Sequence, residues 1–438
     1  MSSTATKTGM STAQGAAVSI GAVLGTGVVG LPALGAKIAG PASLIAWGVL
    51  ILLSIPLAST FAALGARYPD AGGVSTYVRQ AFGARTAAAV GWCFYFAVAT
   101  GAPAAALFGG AYVESAFGGG RRTALLTSAV VIAIVAATNA GGVRVSGRVQ
   151  LILAAVLVTL LVVTTVLALP HAHVANLHPF APHGWSAIAP AAAVLVWGFA
   201  GWEAVTSLAA DFRRPDRDLP RSTAIAIIVV GVLYLAIAAT SILVLGPKTG
   251  TTQAPLSELL AISVGGPVKV ITAIIALLLT IGAMNAYFAG ASKLGAALGR
   301  DGAFPQWFAK GSEVGDVPRR SLAVVTALSA LALAIVAVGG IRSRPSVLLT
   351  TGSFVLVYLL GTAAAVKLLP RGTWARRAAI FALASSVVLM AITGVYVLWA
   401  LVVAGAALLY NRRRRRAGTT PVEVGPPDAI VTVDGRVA

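Results

Sequence analysis

The chain has 438 residues, of which 58% are hydrophobic and only 10% charged, and its formal net charge is +19. Ordinary soluble domains carry about 25% charged residues, so the composition excludes a water-soluble globular protein and indicates an all-α integral membrane protein. The basic excess does not indicate nucleic acid as a partner, because Lys and Arg lie in short loops between apolar runs and not on a basic helix interleaved with stacking aromatics.

Residues 1–13 contain one lysine and no cleavable signal pattern, and are expected to remain as a cytoplasmic N-terminal segment. Twelve apolar runs follow, at about 14–38, 42–65, 86–112, 123–139, 149–169, 186–210, 222–245, 267–298, 321–340, 346–369, 378–392 and 394–410. Stretches such as Leu151 to Leu169 have no charge over the length a bilayer requires. The last two runs are short. A single helix from Ala378 to Tyr410, at about 1.5 Å per residue, would far exceed a hydrocarbon core of about 30 Å, so a tight hairpin is expected near Thr393 and Gly394. Transmembrane segments are thus expected within 14–170, 186–370 and 376–411, followed by a basic tail over 412–438 without helical periodicity, expected to be disordered.

Counting cations on alternate sides of these runs gives the orientation. With the N-terminus inside, seven of the 32 Lys and Arg residues lie outside: Lys37, Arg121, Arg122, Lys248, Lys269, Arg342 and Arg344. All the others lie inside, which places both termini in the cytoplasm and the protein in the cytoplasmic (inner) membrane. A missed span would invert the later half of this tally. Cys93 is a lone cysteine and builds no disulfide or thiolate metal site. His171, His173, His178 and His183 share one external loop but match no standard metal spacing, so no metal or cofactor is expected.

Two features suggest chemistry inside the bilayer. Glu203 is an acid within the sixth apolar run, where a carboxylate must face a cavity or a partner. Glycines also stand where a helix can least use them: Gly25-Thr26-Gly27 in the first run, and Trp197-Gly198-Phe199-Ala200-Gly201-Trp202 in the sixth. Small residues also mediate close helix packing, which is the plainer reading of either segment alone. A break at mid-membrane, however, frees backbone N–H and C=O groups that lipid cannot satisfy, so it survives only where it lines a polar cavity. Half-helix N-termini can hold a carboxylate and C-terminal carbonyls an ammonium, so paired breaks suit a zwitterion. The breaks are five spans apart. That matches spans 1–5 and 6–10 as an inverted 5+5 repeat with two helices appended.

Gly25-Thr26-Gly27-Val28-Val29-Gly30-Leu31-Pro32 resembles the first-helix signature of the amino acid/polyamine/organocation (APC) superfamily. Three further segments agree: Tyr68-Pro69-Asp70-Ala71-Gly72-Gly73 with Tyr77 and Ala81-Phe82-Gly83; Phe199 to Glu203 continuing to Arg213-Arg214-Pro215 and Leu219-Pro220-Arg221; and Arg300-Asp301-Gly302 with Pro305. The resemblance covers about residues 14–370 and is greatest to the bacterial methionine and branched-chain amino acid efflux group. It implies a leucine-transporter-type fold and an alternating-access transporter of a small amino acid or amine, with no enzymatic activity. It also implies that Thr26 and Gly27 meet the substrate carboxylate, and carbonyls of Val23, Trp197 and Ala200 its amino group. Trp197 would be a gating aromatic and Glu203 a gate or proton-linked carboxylate; Tyr95 and Asn285 are weaker candidates. Some proton-coupled relatives carry a lysine in the fifth helix. None lies between Leu151 and Leu169 here, so any proton coupling would fall to Glu203, and the coupling ion, H+ or Na+, stays open. The absence of other charge in the cavity favours a neutral substrate, exported by antiport. An amine or cationic amino acid antiporter, a membrane-embedded enzyme and a channel or sensor are the alternatives. The oligomeric state is not readable from sequence.

Overall fold

The computed structural model describes residues 10–416 apart from 26, 70–72, 143–146, 207, 208, 210, 211, 266, 267, 312–316 and 342. The expected N-terminal segment through residue 9 and the tail from residue 417 therefore lie outside the described residues. What is described is all-helical, apart from one isolated bridge between Met10 and Phe212.

The first apolar run is two helices, α1 (Thr12–Leu24) and α2 (Gly27–Ala39). Ser11 opens α1 in a reciprocal capping box with Gln14. Gly25 closes it at φ 32, a left-handed conformation that glycine adopts at little cost. Next come α3 (Ser43–Arg67), α4 (Val74–Phe82), α5 (Ala84–Phe117), α6 (Gly120–Ala140) and α7 (Gly147–Ala168). The sixth run is divided too: α8 (Ile188–Leu195) tightens into a 3₁₀ turn over Val196–Phe199 and stops before α9 (Trp202–Thr206). The remainder is α10 (Pro215–Leu245), α11 (Pro255–Val264), α12 (Val268–Arg300), α13 (Arg319–Val338), α14 (Ser343–Leu368), α15 (Trp374–Thr393) and α16 (Val397–Arg416).

Among the described residues, nine helical stretches are long and apolar enough to cross a membrane, and Thr12–Leu24, Trp185–Phe199 and Pro255–Val264 are shorter apolar helices. The surface is built for lipid: Leu52, Ile228 and Val402 are about two-thirds exposed, at 66%, 66% and 65%. In water such a surface would aggregate. Burial separates inner from outer helices. The most apolar windows of α5 and α14 are 72% and 78% buried, against 28% for α6. Helix α5 packs on α6, α12 and α14, and is the post around which the bundle is arranged.

Sequence periodicity did not anticipate two elements. α4 is a short amphipathic helix that buries Val74, Tyr77, Val78 and Ala81 on one face, where only a loop was expected. α11 lies between α10 and α12, too short to span. A third difference concerns the tail: α16 runs through Arg416, so the arginine cluster continues the last helix. At the end of the bundle where α1 begins, Arg213 N–H donates to Met10 O at 3.1 Å and the Thr12 hydroxyl to Asp218 Oδ1 at 2.8 Å. These bonds tie the start of α1 to the start of α10.

Candidate functional site

The two helix interruptions meet. Gly201 sits at φ 133, and a Cβ there would stand 2.9 Å from Ala22 O, so glycine alone lets the second break approach the end of α1. A Cβ on Gly27 would stand 3.1 Å from the Gly198 Cα, so the start of α2 touches the 3₁₀ turn backbone to backbone. Tyr234 of α10 ties the breaks from behind, its hydroxyl 2.7 Å from Gly198 O and 3.0 Å from Val23 O. A hydroxyl has a single proton, so the two carbonyls share one donor. The Tyr234 ring is held in turn by stacking on Trp47 at 4.8 Å.

Beside the meeting point lies a cavity of about 50 Å³. One water needs about 10–15 Å³, so the space holds several. Val23, Gly25 and Gly27 line it from the first break, and Trp197 and Ala200 from the second. The facing wall comes from Val98 and Gly101 of α5, Met284 and Tyr287 of α12, and Thr350 and Phe354 of α14. No charged side chain is among the lining residues. Polarity comes from backbone at the breaks, the Tyr287 hydroxyl, and Thr350, whose hydroxyl is engaged with Thr100 Oγ1 at 3.1 Å and Ala97 O at 3.3 Å. The wall can therefore hold an uncharged, largely apolar group beside the ends of the interrupted helices.

Glu203 is 4% exposed and stands behind the second break, outside the cavity lining. Its Oε2 accepts Gly201 N–H at 2.9 Å and the Tyr358 hydroxyl at 2.7 Å, while Oε1 has no hydrogen-bond partner among the described residues. The Tyr358 hydroxyl also lies 3.2 Å from Phe199 O. The carboxylate is thus bonded to the backbone of the break through the Gly201 N–H.

Of the residues singled out from sequence, Val23, Gly25, Gly27, Trp197 and Ala200 are at the cavity. Gly198, Phe199 and Gly201 support the break without lining the space: Phe199 packs on Trp47 and Tyr234, with ring centroids 6.0 and 5.3 Å away. Thr26 lies outside the described residues. Tyr95 and Asn285 are elsewhere. The Tyr95 hydroxyl donates to Ser321 O at 2.8 Å, and Asn285 Oδ1 accepts from Asn139 Nδ2 at 2.6 Å and Thr138 at 3.0 Å, cross-linking α12 to α6. This is the ordinary use of a polar side chain in a bundle. Asn285→Leu should accordingly lower thermal stability by about 1 kcal/mol, since it leaves one N–H of the buried Asn139 amide without its acceptor, without changing ligand affinity. A melting curve with and without ligand checks both parts. The α5, α12 and α14 wall was not foreseen, because apolar residues in apolar helices carry no sequence mark of the face they present.

This arrangement can be compared with known proteins. The family model described as amino acid permease matches residues 10–433. The chain is 32% identical over 404 residues to the uncharacterized amino acid permease YecA of Bacillus subtilis, covering 92% of this chain and 95% of that protein. It is 30% identical over 409 residues to the L-methionine/branched-chain amino acid exporter YjeH of Escherichia coli, covering 92% and 96%. The branched-chain amino acid permease BcaP of Bacillus subtilis is 27% identical over 242 residues, half of each chain at 50% and 51%. With a family model spanning nearly its whole length, and interrupted helices enclosing a small uncharged chamber, this chain belongs to the amino acid permease family of the APC superfamily.

Proposed function

We propose that this permease is a secondary active transporter that exports a neutral amino acid of the methionine or branched-chain type by alternating access. The observation that carries the reading is the cavity where two broken helices meet, which pairs the ends of interrupted helices with a wall that holds no charged side chain among the described residues. A zwitterionic head suits the half-helix ends, and an apolar side chain suits the wall. A cationic side chain would need a compensating acid, and Glu203 does not line the space, which weighs against an amine or cationic amino acid antiporter. The E. coli relative named as an L-methionine/branched-chain amino acid exporter supports both the substrate class and the direction.

The chain crosses the membrane twelve times in this reading, with spans 1–5 and 6–10 as inverted repeats. Support comes from the positions of the two interrupted helices, first and sixth, and from the bias of Lys and Arg that puts both termini in the cytoplasm. If transport is coupled to protons, Glu203 is their carrier, because no other acid is buried at the breaks among the described residues. The test is exchange in proteoliposomes loaded with labelled leucine. External leucine and methionine should accelerate its release, and arginine or agmatine should not. Equal stimulation by arginine would overturn the substrate class, and no exchange of any amino acid would overturn the transport reading.

A further inference from the structure

Gly101 and Thr350 of the cavity wall facing the two breaks meet Trp197 of the second break. Gly101 of α5 has no side chain, and a Cβ built on it would stand 2.9 Å from Trp197 Cη2 and 3.1 Å from both Cγ2 and Oγ1 of Thr350. Contacts so short are absent from relaxed packing, so one methyl there must push the indole or the threonine into the chamber. Thr350 has little freedom to yield. It is 2% exposed, and its hydroxyl is tied to α5 through Thr100 Oγ1 and Ala97 O, which fixes the rotamer and the position of its methyl. Trp197 is restrained as well, with its ring edge-to-face on Phe108 at 6.4 Å. All three contacting residues, Gly101, Thr350 and Trp197, line the cavity.

We infer that Gly101 and Thr350 set the upper size limit of the substrate side chain: the missing Cβ of Gly101 lets the Trp197 indole and Thr350 sit back against α5, which keeps the chamber open for a methionine- or leucine-sized side chain, and Thr350 is part of the wall that side chain meets. The inference rests on the function proposed above. It assigns the size cut-off to two helices outside the breaks, so the backbone groups that hold the amino acid head are common to all substrates. Because the Thr350 hydroxyl is already engaged with α5, this part of the wall selects by volume and not by polarity.

The test uses the full-length protein in proteoliposomes, with labelled leucine efflux and unlabelled alanine, leucine, methionine or phenylalanine as the exchanging solute. Gly101→Ala should raise the half-maximal concentration of leucine and methionine about tenfold relative to alanine, the discrimination expected of about one methyl in an apolar pocket. Thr350→Ala should shift preference the other way and admit phenylalanine. Thr350→Val, which keeps the volume and removes the hydroxyl, should keep the wild-type size ranking. The Gly101→Ala/Thr350→Ala pair should recover part of the wild-type ratio, because the contacts at Thr350 are relieved and the one at Trp197 Cη2 is not, a compensation that general destabilisation would not produce. A Gly101→Ala protein that weakens alanine and leucine equally overturns the inference, as does a Thr350→Val protein that admits phenylalanine. If Gly101→Ala does not fold, the two Thr350 variants decide alone by the same ranking. Wild-type protein that exchanges no amino acid would sink the transport reading instead, a result separable from either.

Discussion

Gly27→Leu is expected to abolish substrate binding while leaving the bundle assembled. A Cβ at this position would stand 3.0 Å from Leu31 Cδ1, 3.1 Å from Gly198 Cα and 3.3 Å from Trp197 Cδ1. Leu31 can change rotamer, but Gly198 is backbone and moves only if the second break moves. Beyond Cβ, the three remaining carbons of leucine have the cavity to enter, because Gly27 lines it. Overpacking of this kind costs about 1–3 kcal/mol, and occupation of the site adds to it, so affinity should fall by about a hundredfold or more. The outer surface of the bundle is untouched, so the unliganded protein should still purify as a folded species. Ligand-induced thermal shift reads the loss directly, because a compound that binds only native protein raises the melting temperature by mass action. Wild-type affinity in this variant would remove Gly27 from the site.

Glu203→Gln is expected to flatten the pH dependence of transport and to change affinity by less than about threefold. The amide has nearly the same shape as the acid, and its oxygen can still accept from Gly201 N–H and the Tyr358 hydroxyl. What disappears is the ability to gain and lose a proton beside the break. Glu203 does not line the cavity, so substrate contacts should survive. Initial exchange rates from about pH 5.5 to 8 should vary severalfold in the wild type and be nearly level in the variant. An unchanged pH profile would take the proton role away from this residue. The pairing is informative because Gly27→Leu acts on binding and Glu203→Gln on coupling, and the two should separate in one set of vesicles.

Much of the architecture was legible in the sequence because the bilayer imposes few solutions. Uncharged runs longer than a hydrocarbon core must be helices, and loop cations report on which side each run ends. The interruptions at Gly25 to Gly27 and at Gly198 to Gly201 were legible for a related reason, since glycine disfavours helix and the two clusters stand in the first and sixth apolar runs, five spans apart. Glu203 stood out because a lone acid in hydrocarbon needs an explanation. Tyr95 and Asn285, the weaker candidates, lie away from the cavity. A polar group in a span always needs a partner, but Ser321 O and the Thr138 and Asn139 side chains supply one without any cavity. The amphipathic α4 was passed over because a nine-residue helix at the membrane surface gives too short a periodic pattern beside the long apolar runs.

By itself the sequence determined a membrane-embedded helical bundle, the places where two helices cannot continue and the one acid that lipid could not tolerate. These follow from local chemistry, namely hydropathy, backbone entropy and the cost of burying charge. Only the tertiary structure decided that the two breaks touch, that Tyr234 ties them, that Glu203 faces Tyr358 and not the chamber, and that Gly101 and Thr350 of the opposite wall meet Trp197 of the second break. Which face of an apolar helix turns inward is settled by packing between segments far apart in the chain, and alanine, glycine and threonine look alike in one dimension whichever side they occupy.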